Sequence, residues 1–215
     1  MQKNKLIVFG LAALALLVLP LGVQQLGNGP VRILDLALLY VLLALGLNIV
    51  VGYAGLLDLG YVAFYAVGAY MFALLSSPHL AENFEWFAAH FPEGLHSPLW
   101  VVIPLGAALA ALAGVVLGSP TLKLRGDYLA IVTLGFGEII RVFLNNMEYP
   151  VNVTNGPRGI GQIDPIHFWG LSLGEPLEVL GLTLPPVTLY YYLFLALVVG
   201  SVLVCVRLER SRIGR

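Results

Sequence analysis

The stretch "LNIVVGYAGLLDLGYVAFYAVGAY", residues 47–70, decides how this chain is read. It is long and apolar enough to cross a membrane more than once, yet it holds Asn48, Asp58, four glycines and four tyrosines. An amide and a carboxylate are costly in hydrocarbon. A glycine inside a helix costs roughly 1 kcal/mol relative to alanine. Two conformations account for Gly52, Tyr53, Ala54 and Gly55. They form a tight turn between two spans, or they unwind a broken helix within the membrane. Non-helical backbone is tolerated at depth only where protein buries it or a wet cavity lines it. Both readings stay open at this stage.

The rest of the composition sets the context. Of the 215 residues, 59% are hydrophobic and only 11% charged. Soluble domains carry about a quarter charged residues, so this chain has too little polar surface to coat a water-facing globule. Six apolar segments stand out, at about 6–23, 32–50, 55–75, 98–118, 127–147 and 185–206. Each is close to the roughly 20 residues that span a bilayer as a helix. The expected architecture is an all-α polytopic membrane protein in a single transmembrane domain over 1–215. The net charge of −1 and the lack of a large basic soluble region argue against a nucleic-acid reader. The lone Cys205 sits in an apolar run, where it reads as a buried thiol without a disulfide partner in the chain. The start, "MQKNKLIVFGLAALALLVLPLGV", reads as an uncleaved first span, because Ala13 and Ala15 fall inside the apolar run rather than after it.

Basic residues sort to one side of six alternating crossings. Lys3 and Lys5 precede the first span, Lys123 and Arg125 fill "SPTLKLRG", and Arg207, Arg210, Arg212 and Arg215 crowd the end. The connection 76–97 holds Glu82, Glu85 and Glu93 without Lys or Arg, and 148–184 holds only Arg158. The positive-inside rule then makes both termini cytoplasmic, with Arg32 as the exception.

Within the spans, Gly106, Ala110, Gly114 and Gly118 recur every four residues and form a small-residue stripe, expected at a helix interface. Glu138 and Arg141 are three apart and therefore share a helix face. Such a pair either faces a wet cavity or partner, or is a local ion pair from which Arg141 snorkels outward. Asp58 follows the glycine break and falls in the first turn of a third span that opens near 55. A carboxylate there is favoured by the helix dipole and by free backbone N–H groups. Asn48, one turn before Gly52, is placed to satisfy carbonyls freed by the break. Tyr61 and Tyr65, four residues apart, are candidates to line a pathway beside it. His79, His90, His96 and His167 show no metal-ligand spacing and read as solvated loop residues. The run "TNGPRGIGQIDP" at 154–165 is turn chemistry without the Gly-Lys-Ser/Thr ending of a phosphate loop. No nucleophile elbow, zinc motif or nucleotide fingerprint is present, so an enzyme is not expected.

Three stretches taken together resemble a known family. "GLNIVVGYAGLLDLGYVAFYAVGAY", "SPTLKLRGDYLAIVTLGFGEIIRVFLNN", and "TNGPRGI" followed by the tail "RLERSRIGR" are similar to the LivM-type permease subunits of bacterial ABC importers for branched-chain amino acids. The resemblance implies an inner-membrane subunit without a cofactor of its own. Its implied partners are a second, LivH-like permease subunit, two cytoplasmic ATPase subunits and a periplasmic amino-acid-binding protein. ATP hydrolysis would belong to those ATPases. In that family a tail like "RLERSRIGR" continues into a coupling helix and further spans. The sequence is therefore expected to be the first part of a longer permease, a fragment or a truncated product. The residues alone also admit a secondary transporter or channel for a small polar solute, since broken helices and intramembrane charges occur there too.

Overall fold

The computed structural model describes residues 2–53, 55–121, 124, 126–168, 171–179, 182–209 and 211. Lys123, Arg125, Arg210, Arg212 and Arg215, which contribute to the basic sorting, lie outside the described residues, as does Ala54 of the glycine break. The longer helices are α1 (Gln2–Gln24), α2 (Asn28–Asn48), α3 (Val62–Leu75), α6 (Leu99–Thr121), α7 (Asp127–Asn146) and α8 (Pro186–Glu209). Two short helices, α4 (His79–Asn83) and α5 (Glu85–His90), and four short strands, β1 (His167–Phe168), β2 (Leu171–Ser172), β3 (Leu177–Val179) and β4 (Leu182–Leu184), occupy the connections. The all-α membrane class is what the structure shows. Helical stretches at Asn28–Tyr53, Leu99–Val116 and Pro186–Glu209 are long and apolar enough to cross a bilayer, and Gly10–Gln24 and Val62–Leu75 are shorter apolar helices.

The chain divides into two compact units, Met1–Asn48 with Ser172–Arg215, and Ile49–Leu171. In the first, Val31, Tyr191 and Leu195 are buried, with Val23, Leu34, Leu38, Val187 and Tyr192 packed around them. Pro20 interrupts α1 and lacks the N–H that would bond the Leu16 carbonyl. The Tyr191 hydroxyl donates to that carbonyl at 2.9 Å, and the Tyr192 hydroxyl donates to Leu17 O at 2.9 Å. The acceptor freed by the proline, Leu16 O, is thus satisfied by α8, and Leu17 O gains an additional donor. Gln24 adds a second tie. Its amide nitrogen donates to Thr183 O at 3.1 Å, and its carbonyl oxygen accepts from the Thr188 hydroxyl at 3.3 Å. Strands β3 and β4 pair antiparallel, with Leu177 opposite Leu184 and Glu178 opposite Thr183.

In the second unit, α3 packs on α6 and α7. The end of α7 is closed by the loop that follows it. Thr154 is buried, its hydroxyl donates to Leu144 O at 2.5 Å, and the Val153 and Thr154 amides donate to Met147 O. Asn155 turns the chain in a left-handed conformation, with φ of 58°. On the other connection, the Asp164 amide donates to Ser76 O at 2.8 Å. His96 places Nδ1 2.5 Å from Asp164 Oδ2 and Nε2 2.7 Å from Glu93 O. Both neighbours are acceptors, so the doubly protonated ring satisfies both. The Asp164 hydrogen bond, followed by the Glu93 carbonyl, holds His96 above the usual histidine value. The histidines are less uniform than solvated loop residues. His79 is buried, and His90 stacks on Trp86.

The small-residue stripe of α6 faces α3. A Cβ on Gly106 would meet Met71 Cβ at 4.0 Å, and one on Gly114 would meet the Phe64 ring at 3.8 Å. Val115, next along the helix, is 68% exposed. A methyl at 114 therefore fits, and an isobutyl group does not. Gly114→Leu is expected to cost about 1–3 kcal/mol by overpacking. Gly114→Ala is expected to be neutral or to stabilise by up to about 1 kcal/mol through helix propensity. Thermal unfolding in detergent should rank Gly114→Ala at or above wild type, Val115→Leu with it and Gly114→Leu below. Equal behaviour of the two leucine variants would place the stripe against lipid.

Candidate functional site

The opening stretch is a broken helix. Helix α2 runs to Asn48, and Ile49–Tyr53 winds on as a π turn. Gly55 then takes φ of +66°, a left-handed conformation that costs a side-chain-bearing residue roughly 1–2 kcal/mol. Residues 55–60 are not helical, and α3 opens only at Val62 rather than near 55. Its 14 residues span about 21 Å at 1.5 Å per residue, against a hydrocarbon thickness of about 30 Å.

Four amides of that segment find partners. Leu56 N–H reaches back to Val50 O at 3.2 Å, and Asp58 N–H donates to Leu56 O at 2.9 Å. Leu59 N–H donates to the Thr133 hydroxyl at 3.0 Å, and Gly60 N–H donates to Asp58 Oδ1 at 2.8 Å. Thr133 is itself buried, and its hydroxyl donates to Leu129 O one turn earlier in α7 at 2.9 Å. Asp58 therefore lies before α3, not in its first turn. Its carboxylate organises the approach to the helix by bonding an amide two residues on. Tyr61, at the N-cap position, makes no side-chain cap hydrogen bond.

Contact with α7 is backbone against backbone. A Cβ on Gly60 would lie 2.6 Å from Thr133 O, closer than any real Cβ approach, and one on Gly137 would lie 3.7 Å from Gly60 Cα. Only glycine permits this seat at position 60. Gly60 itself lines a cavity of about 250 Å³, together with Asp58, Ala63, Phe64, Thr133 and Phe136 among others. Leu59 and Gly137 line a groove of about 420 Å³ between α3 and α7, together with Val62, Ala66, Leu134, Glu138 and Arg141 among others.

Glu138 and Arg141 do pair, with Arg141 Nε 2.9 Å from Glu138 Oε2 and the guanidinium's second contact 2.6 Å from Oε1. Asn48 ends α2, and among the described residues its side chain has no hydrogen bond. Gly52 belongs to the π turn, where helix geometry is widened, and Gly55 to the left-handed step. Tyr61 is half-buried and Tyr65 is exposed; neither lines the cavity or the groove, whose aromatic wall comes from Phe64, Phe136 and Tyr70. Thr133 and Gly137 are the residues that sequence reasoning missed. Their signal was a hydroxyl and a glycine one turn apart on α7, with meaning only beside the partner segment.

The seat makes a sharp prediction. Asp58→Ser keeps a side-chain acceptor for Gly60 N–H, whereas Asp58→Leu leaves a part-buried donor unpaired, at a cost of about 1–3 kcal/mol. Gly60→Ala forces the segment off α7. Thermal stability in detergent should be nearly normal for Asp58→Ser and lowered for Asp58→Leu and Gly60→Ala. A Gly60→Ala variant as stable as wild type would mean that the segment is not seated on Thr133.

Comparison with known proteins places this sequence in a family. Residues 29–215 match the family described as branched-chain amino acid transport system / permease component. The chain is 42% identical over 226 aligned residues to the high-affinity branched-chain amino acid transport system permease protein LivM of Escherichia coli (strain K12), covering 99% of this chain and 48% of that protein. It is 41% identical over 204 residues to the protein of the same name from Salmonella typhimurium (strain LT2), covering 89% of this chain and 43% of that one. This chain thus spans just under half the length of either relative. No solved structure matches it. With the match reaching from the second helix to the final residue, the chain belongs to the branched-chain amino acid transport permease family.

Proposed function

We propose that this chain is the pathway-forming part of a permease subunit in an ABC importer that takes up leucine, isoleucine or valine across a bacterial inner membrane. It works beside a second permease subunit. Two cytoplasmic ATPase subunits supply the energy, and a periplasmic amino-acid-binding protein delivers the substrate. The observation that carries this reading is the broken third segment seated on α7 beside a cavity and a groove, in a chain of this family. A permease must expose its pathway alternately to the two sides, and unwound backbone moves at lower cost than a continuous helix. Residues 55–60 are held by side-chain oxygens of Asp58 and Thr133. Such bonds can be exchanged locally, while Gly60 and Gly137 leave two backbones free to slide without interlocking side chains.

The sorting of basic residues supports an orientation with both termini in the cytoplasm. The acidic connection 76–97 and the connection 148–184 then face the binding protein. The test uses the complete importer in cells, with Cys205 replaced by alanine and single cysteines introduced. Membrane-impermeant maleimide should label Glu93→Cys and Gly161→Cys but not Lys123→Cys, and energised cells should accumulate labelled leucine. Labelling at 123 in intact cells would overturn the orientation. Failure of the complete importer to accumulate any branched-chain amino acid would overturn the function.

A further inference from the structure

The Glu138–Arg141 pair lies on α7, an amphipathic helix, beside Ile139, Val142 and Phe143. Its side chains are not tucked away: Arg141 is 67% exposed and Glu138 57%. Two exposed charges of opposite sign are open to a further polar partner. Arg141 does not snorkel toward the nearer helix end, about 7–8 Å away at 1.5 Å per residue. It reaches back one turn to Glu138, and both residues border the groove between α3 and α7.

The pair has capacity to spare. Arg141 spends two of the five guanidinium N–H donors on Glu138, which leaves three. Each Glu138 oxygen accepts one of these bonds and retains a further lone pair. Beside this pair of opposite charges runs an apolar wall of Leu59, Val62, Ala66 and Leu134, with Ala66 leaving the most room. At about 420 Å³ the groove falls within the range of small-molecule sites, about 300–1,000 Å³.

We infer that this groove is a binding site for a zwitterionic amino acid with a branched aliphatic side chain. The substrate ammonium sits on Glu138, its carboxylate on the free edge of Arg141, and its side chain lies along Val62, Ala66 and Leu134. The four charges then alternate in sign, so the substrate enters without breaking the pair and neither charge is left uncompensated. This inference rests on the proposed function and assigns that function a substrate site.

The experiment measures equilibrium binding of labelled leucine to the purified complete permease complex, together with uptake by the reconstituted importer. Glu138→Gln and Arg141→Gln should each weaken leucine binding at least about tenfold, as expected for loss of one charge-assisted contact. Ala66→Leu, which fills the groove but leaves both charges, should weaken it similarly. Arg141→Lys keeps the charge and a partner for Glu138 but loses the planar fork, and should bind leucine less tightly at normal yield. Ile131→Val, on an exposed part of α7 outside the groove, should bind as wild type. Wild-type affinity in the charge and Ala66 variants overturns the inference and leaves the function standing, as does a complex that transports leucine but binds none. A complex that transports no branched-chain amino acid overturns the function, and the inference with it.

Discussion

Every backbone N–H and C=O in hydrocarbon must find a partner within the protein, because no water is there to supply one. That constraint organises this chain wherever its helices are interrupted. At the break between α2 and α3 four amides turn aside from the helical ladder. They are met by Val50 and Leu56 carbonyls, by Asp58 and by Thr133. Satisfying them fixes the position of the segment. Leu59 can reach Thr133 only if Gly60 lies flat against α7, and Gly60 can lie there only because it has no side chain. The break, the seat, and the cavity and groove beside it are consequences of one requirement.

The first unit answers the same requirement differently. There the interruption is Pro20, and the orphan is an acceptor, Leu16 O, rather than a donor. Tyr191 and Tyr192 provide hydroxyls at the end of apolar rings, so a core residue and a hydrogen-bond donor come in the same side chain. One interruption is therefore tied to α8 by two tyrosines, of which Tyr191 lies in the buried core. The other is held by a carboxylate and a hydroxyl beside open space. Within the proposed function, this contrast favours residues 55–60 over Pro20 as the segment that moves.

Much of this was legible in the residues, and the rest has an identifiable cause. Hydropathy located the helices well, because lipid-length apolar runs carry their own signal. The glycine-rich break was visible at Gly52 and Gly55, but composition could not separate a turn from an unwound segment. Both use glycine, and only the partner surface distinguishes them. For the same reason the start of α3 was placed too early: Leu56, Leu57 and Leu59 are apolar and extend the hydropathy run, although the Leu56 and Leu59 amides bond outside a helix. Thr133 was unreadable alone, since a threonine on a helix commonly bonds its own preceding turn, and this one does that as well. The Glu138–Arg141 pair was legible from spacing, whereas the groove beside it required the packing of α3.

The central claim is that residues 55–60 are unwound and held on α7 by Thr133. Hydrogen exchange read at single residues in the complete permease tests this most directly, comparing wild type with Thr133→Val. Removing the hydroxyl should accelerate exchange at the Leu59 amide, while amides inside α3 such as that of Tyr70 keep their protection. If the Leu59 amide is equally protected in both proteins, its partner is a backbone carbonyl of a continuous helix, and the account of the break is wrong.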